Sequence, residues 1–248
     1  MIVSHKNKFI FIKNPKTAGS TCEYLLRKAC GPKDIITPIS EESNTMYNDY
    51  FPDELKSKNY YLTVNPNSQS KIIPNLFRTN LFSTKRFYNH DSATKIKREV
   101  GDQIWNSYFK FCFERHPVTK LISKYKWMYY LNKISDKYFL SFDSFIRSGM
   151  FVSRGYDLYS IGGISQMDKI FKYEKLNDSF EYLSDKFNVH MKPNSVKFKN
   201  SKTFAFKPDD NSIKINKEHL KIIEIAFARE LKLLEYDLED FDYKYKDF

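Results

Sequence analysis

The sequence is poor in cysteine and glycine and contains no long apolar run. Its 248 residues include 3 Cys, 7 Gly and 2 Trp. Cys22, Cys30 and Cys112 form no CxxC pair, which excludes a disulfide framework or a zinc site, and we expect buried, reduced thiols. No stretch of about 18 apolar residues exists, so no membrane-spanning helix is expected. The polar start, Met1 to Asn7, lacks the apolar core of a signal peptide, so we expect a cytoplasmic protein.

The chain carries a strong positive charge. The net charge is +11, and 41% of the residues are hydrophobic. The apolar content is enough for a core, and the absence of repeats or linkers predicts a single domain over residues 1–248. The charge indicates an anionic partner, and nucleic acid, an acidic polysaccharide and a polyphosphorylated nucleotide all fit. Abundant Lys, Asn, Ile, Phe and Tyr are also typical of AT-rich coding, so the charge alone decides nothing.

Two strand-turn-helix units stand out. Residues Lys8 to Lys13 read as a strand buried on both faces, followed by a helix from about Ser20 to Gly31. Tyr108 to Phe113 reads as a second central strand, and Pro117 suits the first turn of the next helix. This order predicts a nucleotide-binding α/β fold.

Other segments give weaker signals. Asp91 is placed as the N-cap of a helix that ends at Gly101, and residues 32–85 predict loops and short helices around a site, with a strand near Asn59 to Val64. Lys169 to Tyr173 predicts a third strand, with Asn177 as the cap of the helix after it. One long C-terminal amphipathic helix is predicted from the helical spacing of Leu220, Ile223, Phe227, Leu231 and Leu234.

The turn after the first strand predicts an anion site. Gly19 and the hydroxyls of Ser20 and Thr21 stand at a helix N-terminus, where backbone amides and the helix dipole favour negative charge. Lys16 adds a mobile positive charge. A Walker A loop has its lysine directly after glycine, whereas here the lysine comes three residues before Gly19, which disfavours a magnesium-dependent NTP hydrolase. The plain alternative is a helix cap with a lysine facing solvent.

The turn after the second strand offers a second anion site. Arg115 stands at the strand end, and Ser123 follows about two helical turns later. The arginine fork and the serine hydroxyl could converge on one phosphate. Alone, this pattern is weak.

Together, the two turns resemble those of PAPS-dependent sulfotransferases (PAPS is 3′-phosphoadenylyl sulfate). Pro15 to Thr21 resembles the 5′-phosphosulfate loop, and Phe113 to Tyr125 resembles the 3′-phosphate site, with His116 and Lys120 in place of the usual asparagine and arginine. The likeness is greatest to the carbohydrate branch, which includes heparan sulfate 2-O-type and related bacterial enzymes. Further blocks that resemble this branch follow in the same order: Asn89–Ala93, Trp105–Phe113, Phe171–Leu176 and Leu233–Asp237.

The resemblance implies a three-layer P-loop-type fold with a mainly parallel central sheet flanked by helices. It implies PAPS as cosubstrate, PAP (3′,5′-bisphosphoadenosine) as product, no metal and no covalent intermediate. The acceptor that the resemblance implies is a saccharide or glycoconjugate, and the positive charge of the chain is compatible with an acidic acceptor. The resemblance implies no nucleic-acid partner. Arg115 and Ser123 would hold the 3′-phosphate, and the 5′ end would be held by Lys16, Thr17, Gly19, Ser20 and Thr21.

Sulfuryl transfer needs an in-line attack, charge stabilisation on the leaving oxygen and a base for the acceptor hydroxyl. We assign the stabilising role to Lys16 and the base to His90, which precedes a helix and has a near-neutral ordinary pKa. Asp91 and Glu114 are the rival carboxylates. The alternative for His90 is a local capping or packing role.

Other cationic residues admit two interpretations. Lys85, Arg86 and Arg154 could bind an acidic acceptor, or they could simply be solvated. The late basic segment with Lys197, Lys199 and Lys202 could close over the donor, with a solvated charge run as the plainer interpretation. The rival functions for the whole chain are a P-loop kinase of a small molecule and a non-catalytic nucleic-acid-binding protein.

Overall fold

The structure is a computed structural model, which describes residues 1–39, 51–63, 83–134, 139–152, 155–195 and 208–247. The strands are β1 (Ile2–Ser4), β2 (Phe9–Ile12), β3 (Ile35–Ile36), β4 (Tyr61–Thr63), β5 (Ser83–Lys85), β6 (Phe109–Glu114), β7 (Ser160–Ile161), β8 (Ile164–Ser165) and β9 (Lys169–Lys172). The α-helices are α1 (Gly19–Arg27), α2 (Ala93–Val100), α3 (Asp102–Ser107), α4 (Pro117–Ile134), α5 (Phe142–Arg147), α6 (Tyr156–Tyr159), α7 (Leu176–Phe187), α8 (Lys217–Ala226) and α9 (Ala228–Leu234).

The central sheet has the strand order β3-β1-β2-β6-β9. Strands β2, β6 and β9 pair in parallel, while β1 lies antiparallel to both β2 and β3. Four of the five strands therefore run in one direction, and only β1 opposes them. The expectation of an α/β fold with a mainly parallel central sheet flanked by helices is confirmed.

Side-chain alternation along the strands divides the molecule into layers. Phe9 and Phe11 of β2 pack on one face of the sheet with residues of α1 and α7. Ile10 and Ile12 point to the other face, where they pack with residues of α2, α3 and α6. A third apolar cluster joins α4, α5 and α8 beyond the sheet. The helices thus cover both faces, as period-two alternation on a doubly buried strand requires.

The start of the chain differs from the prediction. Met1, Ile2 and Val3 are fully buried, and the segment read as polar forms β1 in the sheet. Three residues are too few to show a strand period, so the sequence carried little signal. Cys22 and Cys112 are buried and Cys30 is partly buried, and all three are thiols without a disulfide. None of the helices that the structure describes is long and apolar enough to cross a membrane.

Two helix caps were predicted wrongly. Helix α2 is capped by Ser92, whose side chain accepts a hydrogen bond from the Lys95 amide at 3.3 Å. Asp91 instead accepts from the amide of Tyr88 at 2.8 Å, which closes the preceding turn. Helix α7 begins at Leu176, directly after the 3₁₀ turn Tyr173–Lys175, so the predicted cap Asn177 lies inside its first turn.

The predicted long C-terminal helix is two helices. Phe227, between α8 and α9, has φ −117° and ψ 22°, outside the helical region. Its ring is 6% exposed and lies 5.9 Å from the ring of Phe151. The hydrogen bonds on either side of the break are kept, from Phe227 N–H to Ile223 O and from Leu231 N–H to Phe227 O. Core packing of this ring accompanies a kink that apolar periodicity could not reveal.

Candidate active site

The two predicted anion-binding turns meet at one edge of the sheet. Strands β2 and β6 are parallel neighbours, with Ile12 opposite Cys112, so the turns that follow them leave the sheet side by side. Asn14 ties the turns together, because its Nδ2 donates to Phe113 O at 3.0 Å and to Glu114 Oε2 at 3.3 Å. The carboxyl edge of parallel strands is where α/β proteins bind their ligands.

The first turn has a constrained backbone. Lys16 has φ 64° and Ala18 has φ 56°, both in the left-handed region that costs a non-glycine residue about 1–2 kcal/mol. A Cβ on Gly19 would lie 2.6 Å from Cε of Lys13. The Lys13 ammonium is held by Glu23 at 2.7 Å and by Ile39 O at 2.9 Å, so the lysine cannot move away easily. Glycine at position 19 is therefore required by close packing.

Within the part of the chain that the structure describes, the first turn leaves the amides at the start of α1 without a partner. The first helical hydrogen bond runs from Cys22 N–H to Ala18 O at 3.0 Å, and no side chain caps the helix. The amides of Gly19, Ser20 and Thr21 precede that bond and are oriented as anion donors. Both hydroxyl side chains are partly exposed.

Thr17 is turned inward. Its side chain is 1% exposed, and its hydroxyl donates to the carbonyl oxygen of Asn14 at 3.0 Å. Any contribution from Thr17 to an anion would come from its backbone amide.

Arg115 of the second turn points towards the first. Its Nε donates to Thr119 Oγ1 at 3.0 Å, and one terminal nitrogen donates to Lys16 O at 3.5 Å. The guanidinium also lies 4.3 Å from the ring centroid of Tyr173. Burial lowers the pKa of Arg115, yet an arginine remains charged at any physiological pH, so it is a partly desolvated cation beside an anion-binding helix end.

One face of α4 contacts both cations, Lys16 and Arg115. Thr119, Ser123 and Trp127 are four residues apart, which places them on one helix face, about 6 Å apart along the axis. Arg115 contacts Thr119, and Lys16 Nζ lies 5.3 Å from the ring centroid of Trp127. Ser123 stands between them, partly exposed, and its hydroxyl makes no hydrogen bond to the residues that the structure describes. Lys16 and Arg115 thus contact one face of α4 at two points, and Ser123 lies between those points on the helix.

Each turn also contains a buried ion pair. Lys13 pairs with Glu23 at 2.7 Å in the first turn, and Lys120 pairs with Glu114 at 2.6 Å in the second. All four side chains are at most 5% exposed. These lysines are compensated inside the protein and brace the turns, so Lys16 is the lysine of the first turn that lies towards the anion-binding space.

Late segments of the chain support the second turn. Glu174 accepts the His116 amide at 2.9 Å and the Tyr236 hydroxyl at 2.9 Å. The His116 ring donates from Nε2 to Asp237 O at 2.7 Å. The blocks around residues 171–176 and 233–237 that carry the family resemblance therefore hold the backbone of the second turn.

His90 lies against the first turn. Its Nδ1 is 2.8 Å from the carbonyl oxygen of Lys13, which can only accept, so the ring is protonated at Nδ1 and Nε2 holds the lone pair. Burial, with a smaller effect of the Lys13 charge, lowers the pKa of His90 to about 4. The near-neutral ordinary value does not apply here. The imidazole is neutral at pH 7 and can accept a proton on Nε2.

The rival carboxylates are engaged elsewhere. Asp91 accepts the Tyr88 amide and pairs with Lys95 at 2.9 Å. Glu114 is fully buried and holds Lys120 and the amide of Arg115. Both carboxylates are therefore occupied by partners within the protein.

The remaining predicted cations separate into two groups. Arg86 is bound to Glu99, with Nε 2.9 Å from Oε2, so its role is structural. Lys85 lies near the ring of Tyr88. The others lie outside the described residues: Arg154, Lys197, Lys199 and Lys202.

Sequence reasoning missed three contributors to this site. Trp127 contacts Lys16, Tyr173 stacks on Arg115, and Asn14 bridges the turns. The spacing of Trp127, four residues after Ser123, was the one available signal.

No known protein-family model matches the sequence. An uncharacterized protein of Archaeoglobus fulgidus is 44% identical over 57 residues, which are 23% of this chain and 44% of that protein. The chain thus spans less than half of this curated relative. Among solved structures, a sulfotransferase from Alicyclobacillus acidocaldarius is similar with a TM-score of 0.39 and 14% identity, over 92% of this chain and 96% of that one. Similarity this low assigns no function, so the site geometry has to carry the proposal.

Proposed function

We propose that the protein is a sulfotransferase that moves a sulfuryl group from PAPS to a hydroxyl of a saccharide acceptor. The observation that carries this proposal is the contact of Lys16 and Arg115 with one face of α4, where Ser123 lies between them, beside the N-terminal amides of α1. Two anion-binding features at a short separation suit a donor with phosphate groups at two positions. The resemblance of both turns to those of the sulfotransferase family supports the same assignment.

Different residues bind the two ends of the donor. The amides of Gly19, Ser20 and Thr21 bind the 5′ end, where the helix dipole adds to the attraction. Arg115 and Ser123 bind the 3′-phosphate through charged and hydroxyl donors. The Tyr173 ring and Thr119 hold the guanidinium in place before the donor arrives, which reduces the side-chain entropy lost on binding.

Lys16 and His90 carry the chemistry. Nε2 of His90 accepts the proton of the acceptor hydroxyl as the new oxygen–sulfur bond forms, while Nδ1 stays on the Lys13 carbonyl. The bond between sulfur and the bridging phosphate oxygen breaks, and Lys16 stabilises the charge that develops on that oxygen. The sulfuryl group passes directly to the acceptor, so no covalent intermediate on the protein is required.

Nucleotide stabilisation tests this assignment. PAP should raise the melting temperature far more than AMP or ATP does, because Arg115 and Ser123 would bind its 3′-phosphate. Arg115→Ala should weaken PAP binding by about tenfold or more while AMP binding changes little, since a charge-assisted contact contributes about 1.5–3 kcal/mol. Equal stabilisation by AMP and PAP would remove the basis of the proposal.

The same experiment separates the two rival functions. A small-molecule kinase would be stabilised most by ATP with magnesium, and its activity would be lost with EDTA and restored by the metal. A nucleic-acid-binding protein would bind oligonucleotides with a steep salt dependence and without competition from PAP. For the proposed enzyme, transfer of labelled sulfate from PAPS should continue in EDTA.

A further inference from the structure

The side chain of Lys13 lies between the first turn and the segment that carries His90. Its ammonium donates to Glu23 Oε2 at 2.7 Å and to Ile39 O at 2.9 Å. Asn89, the residue before His90, donates from Nδ2 to the same Ile39 oxygen at 2.7 Å. Lys13 is 4% exposed and Asn89 is 8% exposed, so both donors are held in the interior. One carbonyl oxygen therefore joins the two side chains.

His90 is connected to Lys13 by two routes. The direct route is the hydrogen bond from Nδ1 of the ring to the carbonyl oxygen of Lys13 at 2.8 Å. The indirect route runs from the Lys13 ammonium through Ile39 O to the side chain of Asn89, which directly precedes His90 in the chain. The direct bond holds the ring, and the indirect route holds the backbone from which the ring projects. Together they restrict the direction in which Nε2 points.

The same lysine supports the donor amides on its other side. A Cβ on Gly19 would lie 2.6 Å from Cε and 2.8 Å from Cγ of Lys13, so the lysine stem packs directly against the first residue of α1. The Gly19 amide is one of those proposed to bind the 5′ end of the donor. Lys13 therefore contacts both the segment that would bind the donor and the residues that hold the base.

We propose that Lys13 and Asn89 are positioning residues, which together hold His90 at a fixed separation from the donor amides; this inference rests on the function proposed above. Neither side chain has to touch a substrate, because both act through His90. In-line transfer depends on such separations, since a displacement of about 1 Å can lower a rate by about 10²-fold. The direct bond also selects the tautomer with its proton on Nδ1, which leaves Nε2 as the proton acceptor.

The charge of Lys13 has a second effect on the base. Burial is the main cause of the low pKa of His90, and the Lys13 charge lowers it further. The N-terminal nitrogen of Met1 also lowers this pKa, whereas the Lys13 carbonyl and Glu23 raise it. Removing the lysine charge would also leave Glu23 less compensated, and both changes favour the imidazolium form. The pKa of His90 should therefore rise when an uncharged residue replaces Lys13.

Nuclear magnetic resonance of the imidazole nitrogens tests both roles without any turnover. In the wild-type protein His90 should be a single Nδ1–H tautomer that titrates near pH 4. Lys13→Met should raise the titration midpoint by about one pH unit or more, as the loss of a neighbouring like charge does. Asn89→Ala removes no charge, so it should keep the midpoint but populate the second tautomer. His90→Ala identifies the resonances. An unchanged midpoint in Lys13→Met, or a single tautomer in Asn89→Ala, would overturn the proposal.

The second turn supplies the matched control. Lys120 is also a buried lysine paired with a buried glutamate, so Lys120→Met should destabilise the fold comparably. It should leave the midpoint and the tautomer of His90 unchanged, and an equal shift in this variant would trace the effect to loosened packing and overturn the proposal. Asn89→Ala keeps the Lys13 ion pair intact, so it tests the positioning role even if Lys13→Met does not fold.

Turnover separates positioning from donor binding. The probes are labelled PAPS and a pool of neutral and uronate-containing oligosaccharides. Asn89→Ala should lower kcat by about tenfold and leave the Kd for PAP within about twofold. Asn7→Ala, whose amide also donates to a carbonyl oxygen but at the opposite edge of the sheet, should leave both unchanged. Lys13→Met combined with Asn89→Ala should lower kcat no further than Lys13→Met alone, and additive losses would contradict the shared route through Ile39 O.

The two proposals fail in distinguishable ways. Failure of the sulfotransferase assignment appears as absent discrimination between PAP and AMP, while the titration of His90 still reports the roles of Lys13 and Asn89. Failure of the present inference appears in that titration, even if PAP binds as expected.

Discussion

The two turns that follow β2 and β6 have the same parts and different backbones. Each contains a buried lysine paired with a buried glutamate, Lys13 with Glu23 and Lys120 with Glu114. Each also presents one cation that lies on an aromatic ring, Lys16 on Trp127 and Arg115 on Tyr173. Both turns therefore combine an internal ion pair, which braces the turn, with a separate cation beside an aromatic ring.

The backbones differ in strain. The first turn holds Lys16 and Ala18 in the left-handed region, whereas the second enters α4 directly through Pro117. The first turn also anchors His90 through the Lys13 carbonyl. Strained backbone is typical of positions where reacting groups must be held. The difference is consistent with the function proposed above, in which the first turn serves the chemistry and the second serves recognition of the nucleotide.

The largest effect should come from substituting His90, which hydrogen-bonds to the first turn and not to the second. His90→Ala should lower turnover by about 10²–10⁴-fold, the usual contribution of a positioned general base, with near-normal PAP binding. In the wild-type protein the rate should stay high down to about pH 4 and fall below it, as Nε2 becomes protonated and can no longer accept a proton. Steady-state rates and PAP titrations measure both quantities.

The control for this experiment is His190→Ala, which changes an exposed histidine beyond α7 and should leave turnover unchanged. Circular dichroism at each pH separates loss of activity from unfolding. Normal turnover in His90→Ala would transfer the base to another residue, and strongly weakened PAP binding would place His90 at the nucleotide instead.

The next effect concerns stability. Glu114→Gln leaves the buried Lys120 ammonium without its counter-charge and should lower the free energy of unfolding by about 3–5 kcal/mol. Glu23→Gln should lower it at least as much, because Glu23 holds both the Lys13 ammonium and the buried N-terminal nitrogen of Met1. Urea denaturation measures the change.

Two further variants sharpen this result. Glu114→Gln with Lys120→Met removes both charges and should regain part of the lost stability. Glu218→Gln, which breaks an exposed pair with Arg147, should have hardly any effect. Equal stability of all the variants would show that the buried pairs do not brace the turns.

A somewhat smaller effect should distinguish the two outward cations. Lys16→Ala should lower turnover by about 10²–10³-fold and also weaken PAPS, because the lysine contacts the donor and stabilises the leaving oxygen. Arg115→Ala should act mainly on binding. Lys28→Ala is the matched control, since Lys28 lies 5.5 Å from the ring centroid of Tyr24 at the far end of α1. Equal changes in turnover for Lys16 and Lys28 would contradict the assignment.

The smallest effect is spectroscopic. Donor phosphates should attract Lys16 away from the Trp127 ring, so PAP should change the tryptophan emission. The other tryptophan, Trp105, is 2% exposed in the core and should not respond. Trp127→Phe should abolish the signal while PAP still binds in a calorimetric titration. A signal that persists in this variant would come from Trp105 and would contradict the assignment, and no signal in the wild-type protein would mean that Lys16 keeps its position.

Much of the fold could be predicted because the decisive signals are local. The apolar run of β2, the aromatic alternation of β6 and Pro117 at the start of α4 each indicate their element within a few residues. Strand β1 was missed because three residues show no period, and the break at Phe227 was missed because apolar spacing is the same on both sides of it. Those features depend on tertiary packing.

In the candidate site, too, features set by topology could be predicted and features set by side-chain packing could not. Two turns after parallel strands must lie together, so the neighbourhood of Lys16 and Arg115 was predictable from topology. The roles of Trp127 and Tyr173 were not, because they depend on which side chains face each other across the site. The low pKa of His90 was equally inaccessible, since burial and, to a smaller extent, the nearby Lys13 charge cause it.

The ribbon formed by β4 and β5 depends on the helix that begins at the first turn. Tyr61 pairs with Lys85 across the ribbon, and Tyr60 O accepts the amides of Arg86 and Phe87. Arg27, the last residue of α1, fixes the segment before the ribbon by donating to Leu55 O and to Thr37 O, both at 2.8 Å. Because a two-stranded ribbon is marginally stable by itself, local opening of this ribbon should be coupled to the C-terminal end of α1.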